Sequence, residues 1–183
     1  MVYVALLRGI NVGGKGMVPM ARLKAIFEAL GLKGVQTYIN SGNVIFKSPS
    51  ANSSALTKRI EAAIKKDAGL TVPVLLRDLP QMKKLVAGIP TSWVNDGQMK
   101  CDVMFLWDDV DRPAVLKDLP VNREIEDVKY VKGAVLWRID RKLASKSRMT
   151  RIVGTDLHKN MTIRNPNTVR KLYELMQALD ART

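Results

Sequence analysis

Two β-rich runs, Val35–Ile39 and Val44–Lys47, are separated only by Asn40-Ser41-Gly42-Asn43. Asn and Gly accept the backbone angles of a tight reversal, so the two runs must return on each other as an antiparallel hairpin. That excludes an all-parallel sheet, whose strands are joined only by long crossovers. The rest of residues 1–77 fits around the hairpin. Val2–Leu7 is a mostly apolar run of strand type. Pro19 suits the first turn of a helix in which Met20, Leu23, Ile26, Phe27 and Leu30 recur at helical spacing and which Gly31 ends. Ser53 or Ser54 is expected to cap a second helix, with Leu56, Ile60, Ala63 and Ile64 on one stripe. Val72–Leu76 reads as a fourth strand. Strand-helix-strand-strand-helix-strand is the order of a ferredoxin-like split βαβ unit.

The second half opens in the same way. A short helix is expected from Asp78–Pro80 to Val86, and then a loop through Asn95-Asp96-Gly97. The run 102–107 is a strand, with a short helix expected near Pro113–Leu119. Asp127–Val131 and Ala134–Ile139 flank Lys132-Gly133, a second tight turn. Residues 146–158 are expected to be helical, and Asn165-Pro166 opens a last helix carrying Val169, Leu172, Tyr173, Met176 and Leu179 on one face. This half therefore repeats the strand-helix-strand-strand order and then ends in helices, with no residue-level repeat evident. The expected organisation is an N-terminal ferredoxin-like subdomain at 1–77, a connecting helix and loop at 78–99, and a C-terminal α+β subdomain at 100–183.

Charge narrows the partners. The net charge is +13, and residues 1–77 hold 11 Lys/Arg against 3 Asp/Glu. Residues 78–140 hold 9 against 11, and residues 141–183 hold 10 against 3. Two basic ends around a slightly acidic middle suit an anionic partner. No apolar run approaches the length of a membrane span, and Met1 leads straight into a strand pattern without a secretory leader. The expected setting is the cytoplasm, with no membrane association and a monomer as the expected state. One Cys (Cys101) and one His (His158) exclude an internal disulfide and the usual zinc ligand sets, so no metal and no cofactor are expected.

Three segments offer chemistry. In Arg8-Gly9-Ile10-Asn11-Val12-Gly13-Gly14-Lys15-Gly16, four glycines, two cations and an asparagine lie between a strand and a helix. Glycines let the backbone come close to a ligand, and exposed N–H groups ahead of a helix favour an anion. Gly9, Gly14 and Lys15 satisfy most of a Walker A pattern, but Gly16 stands where the Mg²⁺-binding hydroxyl belongs, and Pro19 delays the helix. Asp108 and Asp109 after a strand do not repair this. The hairpin tip Tyr38-Ile39-Asn40-Ser41-Gly42-Asn43 supplies amide and hydroxyl groups, although Asn and Ser also serve their own turns. In Thr162-Ile163-Arg164-Asn165-Pro166-Asn167-Thr168, Asn165 can cap the last helix, placing Arg164 and Thr168 beside its free N–H groups.

Other arrangements carry less. Ser41, Asp156 and His158 lack a nucleophile elbow. Asp108, Asp109 and Asp111 lack EF-hand spacing. Trp107 and Trp137 read as core, whereas Trp93, in a loop, is a candidate for base stacking.

With these segments in view, the chain resembles the bacterial domain-of-unknown-function family 1697. The resemblance lies in Ala5–Lys15, in Tyr38–Phe46, and in Thr162-Ile163-Arg164-Asn165 with Thr168. It implies two α+β halves of ferredoxin-like character and carries no assigned activity. Pro166 stands where the family often has an aromatic residue.

The expected fold is therefore α+β: two ferredoxin-like (split βαβ) subdomains with antiparallel sheets covered by helices. The three segments are expected to meet and bind an anionic, phosphate-bearing ligand, a nucleotide or nucleic acid. Arg8, Lys15 and Arg164 would supply charge and Gly13 and Gly14 backbone N–H groups. Asn11, Asn40, Ser41 and Asn43 would orient the ligand, with Tyr38, Thr162, Asn165 and Thr168 completing the site. The alternative is a metal-independent enzyme acting on a small anionic metabolite there; no residue is assigned to catalysis.

Overall fold

A computed structural model describes residues 1–12 and 16–182. The chain divides into two compact units, Met1–Met82 with Leu172–Thr183, and Lys83–Lys171. In the first unit the elements are β1 (Val2–Leu7), α1 (Met20–Ala29), β2 (Lys33–Tyr38), β3 (Asn43–Lys47), α2 (Ser53–Ala68) and β4 (Val74–Asp78). The strands form an antiparallel sheet in the order β2-β3-β1-β4. Every residue of β1 is buried, which is why it reads as a continuous apolar run instead of alternating. On one face Tyr3, Ala5, Leu7, Val44, Phe46, Val74 and Leu76 pack with Leu23, Ile26 and Phe27 of α1 and Leu56, Ile60 and Ile64 of α2. The Phe46 ring lies 5.8 Å from Tyr3 and 5.4 Å from Phe27. Burying one such side chain is worth about 1.5–3 kcal/mol.

The caps differ in detail from the sequence expectation. Helix α2 is capped by Asn52, not by Ser53 or Ser54; its side-chain oxygen accepts from the Ala55 amide at 2.9 Å. An Asn one residue earlier reaches the first-turn N–H groups as well as a serine does. Helix α3 (Leu79–Gly88) opens on a reciprocal capping box. Asp78 accepts from the Gln81 amide at 2.8 Å, and Gln81 accepts from the Asp78 amide at 2.9 Å.

The second unit contains β5 (Met99–Leu106), β6 (Glu126–Val131), β7 (Ala134–Asp140) and β8 (Met161–Arg164), a short helix α4 (Asp156–Lys159), and the start of α5 (Pro166–Asp180). Its antiparallel sheet has the order β6-β7-β5-β8. Met104, Leu106, Val135, Trp137, Ile139 and Met161 form the core with Val115, Leu119, Met149 and Ile152. The helices expected near 113–119 and over 146–158 are instead 3-10 turns at Pro113–Lys117 and Met149–Ile152, the latter preceded by a further 3-10 turn at Arg141–Lys146 and followed by α4. Gly154, at φ 87°, lies within the second of these stretches, and neither presents a sustained apolar stripe. Glu126 replaces helical order as the organiser here. Its carboxylate, in a residue only 3% exposed, accepts from the Asn122 amide, from the Trp137 indole N–H at 3.1 Å and from the Ser147 hydroxyl.

Strand β8 corrects the expectation that the second half ends in helices alone. It has four residues, too few for alternation to stand out. With β8 in place the pairings of the central strands correspond between the two sheets. Leu7 N donates to Gly42 O at 2.9 Å, and Leu106 N donates to Gly133 O at 2.9 Å. Leu7 pairs with Val74 as Leu106 pairs with Met161, and Val4 pairs with Arg77 as Val103 pairs with Arg164. Arg77 and Arg164 are both 8% exposed, and each donates to the carbonyl of the residue before it, at 3.0 and 2.7 Å. A residue-level correspondence therefore exists. Unequal loop lengths between equivalent strands hide it from the sequence.

Candidate anion-binding site

In the first unit the loop after β1 and the tip of the β2–β3 hairpin are joined by one side chain. Asn11 adopts φ 54°, a left-handed angle that Asn tolerates better than most residues. Its Oδ1 accepts from the Val18 amide at 2.7 Å, and its Nδ2 donates to Val18 O at 3.0 Å and to Asn40 O at 2.9 Å. The Asn11 amide donates to Gly16 O at 3.1 Å, closing the loop at its base. The amide group of Asn11, a residue expected to orient a ligand, fixes the loop and fastens it to the hairpin. Gly13, Gly14 and Lys15 lie outside the described residues.

The hairpin tip is also internally bonded. Asn43 is fully buried, and its Nδ2 donates to Tyr38 O at 3.1 Å and to Ser41 Oγ at 3.0 Å, so turn chemistry accounts for it. Gly42, at φ 73°, lies so close to the loop that an added Cβ would stand 2.3 Å from Ile10 Cγ2 and 2.9 Å from Leu7 Cβ. Asn40 is exposed, while Ser41, Tyr38 and Arg8 are half-buried. The Arg8 amide donates to Pro73 O at 2.9 Å, holding the residue at the end of β1. Sequence reasoning missed the apolar character of this surface. Val12 is 64% exposed, Met17 66% and Ile39 49%. Ile39 also takes φ 50°, an angle that β-branched residues rarely adopt.

The third segment belongs to the second unit. Arg164 is buried on β8, donating to Thr162 Oγ1 at 3.1 Å and to Ile163 O at 2.7 Å. Burial pulls its pKa down to about 10, so the guanidinium keeps its charge at neutral pH. Asn165 caps α5, accepting from the Thr168 amide at 2.8 Å. Thr162 and Thr168 are both buried.

A family described as "Protein of unknown function (DUF1697)" matches residues 1–137. The chain belongs to DUF1697. A solved structure described as a conserved bacterial protein from Streptococcus pneumoniae is similar to this DUF1697 chain at 27% identity. It covers 96% of this chain and 98% of its own, with a TM-score of 0.80. No curated protein matches.

Other polar groups of this DUF1697 chain have structural roles. Asp156 pairs with Lys159 at 2.8 Å. Asp111 does in the second unit what Asn11 does in the first: it fastens the loop after the first strand to a hairpin tip. It accepts from the Gly133 amide and the Tyr130 hydroxyl, both at 2.9 Å, and pairs with Lys132 at 2.7 Å. Burial raises its pKa, but Lys132, Gly133 and Tyr130 together outweigh that and hold it below the ordinary carboxylate value. Trp93 carries the Arg138 guanidinium over its ring at 5.5 Å. No group of three His, Cys, Asp or Glu side chains able to hold a metal occurs among the described residues. No helix there is long and apolar enough to cross a membrane.

Proposed function

We propose that the first unit binds a phosphate-bearing anion, a nucleotide or nucleic acid, on the surface shared by the loop after β1 and the 38–43 hairpin tip. One observation carries the reading: Asn11 bonds both Val18 in the loop and Asn40 at the hairpin tip, which fastens the segment that follows Arg8 to the exposed Asn40. Arg8 supplies charge. Asn40 and Ser41 supply polar contacts at the tip. The excess of 11 Lys/Arg over 3 Asp/Glu in residues 1–77 attracts a polyanion over longer range.

The test is titration of dye-labelled single-stranded DNA and RNA at about 50 and about 200 mM salt, since counterion release makes phosphate contacts salt-dependent. With roughly three phosphates neutralised, affinity falls about tenfold or more across that range. Substituting Arg8 and Lys15 by Ala reduces the salt slope. Absence of binding at the lower salt, or binding indifferent to salt, overturns the proposal.

A further inference from the structure

We infer that the polymer bound by this surface is single-stranded, with unstacked bases resting on Val12, Met17 and Ile39 beside its phosphates. The inference rests on the phosphate reading above and deepens it. Isolated exposed apolar residues are ordinary. Each of these three adjoins in the chain a residue of the Asn11 hydrogen-bond cluster: Val12 follows Asn11, Met17 follows Gly16, and Ile39 precedes Asn40. They account for three of the five large apolar side chains left exposed among the described residues. Ile39 also holds a left-handed angle that Asn or Gly would take more easily, so local backbone preference does not explain an isoleucine there.

The surroundings select the occupant. Residues 1–77 are strongly basic, which disfavours a second copy of the same unit and favours an anion. A duplex shows this surface its phosphates and keeps its base faces stacked, whereas a single strand offers phosphates and base faces together. Aliphatic side chains pack against unstacked bases. The exposed Asn40 and the half-buried Ser41 follow Ile39 directly. Against a base they meet hydrogen-bonding edges; in the apolar layer of a bilayer they would lose water without replacement.

The experiment uses the full-length protein. A labelled oligothymidylate is compared with an abasic phosphodiester chain of equal length, the matching duplex, and vesicles containing phosphatidylglycerol. Oligothymidylate is expected to bind about tenfold tighter than the abasic chain at one salt concentration. Ile39→Asn combined with Met17→Ser removes that difference while leaving the abasic affinity unchanged. Asn accepts the angle at position 39, and thermal melting confirms that the variant folds; Val12→Thr is the second probe. Equal affinity for the two oligomers overturns this inference and leaves the phosphate reading standing. Absence of binding to both at low salt overturns both. Vesicle binding that exceeds oligomer binding and is lost in the same variants overturns the inference in favour of a lipid surface.

Discussion

Replacing Asn11 by alanine removes three side-chain hydrogen bonds to backbone groups, at 2.7, 2.9 and 3.0 Å, and leaves a Cβ residue at φ 54° without its local polar partner. Each bond is worth about 0.5–1.5 kcal/mol net, and the lower end applies because water reaches part of this site. The left-handed angle adds about 1 kcal/mol for alanine. The total is about 2–4 kcal/mol, a large share of the stability of an ordinary domain. Asn11→Gly loses the same bonds without the angular penalty, so it should recover about 1 kcal/mol relative to Asn11→Ala. Denaturant unfolding measures both, with a common m-value showing that only stability has changed. Asn11→Ala within about 0.5 kcal/mol of wild type, or Asn11→Gly less stable than Asn11→Ala, refutes the account of Asn11 as the fastening between loop and hairpin.

Gly42→Ala combines a positive φ with a Cβ 2.3 Å from Ile10 Cγ2, and is expected to cost about 2–5 kcal/mol by thermal or denaturant unfolding; a neutral effect counts against the close approach of loop and hairpin. Asp111 has its pKa depressed in the fold, so its contribution is present above the unfolded value near about 4 and disappears as pH falls through the folded value. The stability difference between wild type and Asp111→Asn should therefore shrink in acid, and a difference that stays constant down to about pH 2 contradicts it. Burial, with Asp102 adding to it, pushes the Cys101 thiol up to about 11. Thiol reagents at about pH 8 should leave it untouched in the native protein and modify it on unfolding, and rapid native labelling would show that it is not shielded.

The first unit was legible because its signals are local and agree: the apolar stripe of α1, the Gly42 turn and the continuous apolar run of β1 each point to the same order of elements. The second sheet was legible at 102–107 and around Lys132-Gly133, but not at β8. Four residues of mixed polarity declare a strand only through pairing with β5, which lies about 60 positions earlier in the chain. The 3-10 turns were misread as helix because their geometry is set by contacts such as Glu126 with Ser147, which no window of local sequence contains. In the candidate site, residue types were easier to read than residue roles. Asn11 and Asn43 were chosen for their amides; the Asn11 amide bonds backbone groups of Val18 and Asn40, and that of Asn43 bonds Tyr38 O and Ser41 Oγ. The exposure of Val12, Met17 and Ile39, each next in the chain to a residue of the Asn11 hydrogen-bond cluster, has no signature in the sequence.

The first unit takes its last piece, Leu172–Thr183, from the far end of the chain, where Leu179 lies against Gly34 on β2. Residues 1–82 supply all four strands of that sheet but not the segment that lies against it at Gly34. That unit is thus whole only when two stretches of chain, separated by the whole of the second unit, have come together. Removing residues 172–182 should therefore destabilise the unit built on residues 1–82.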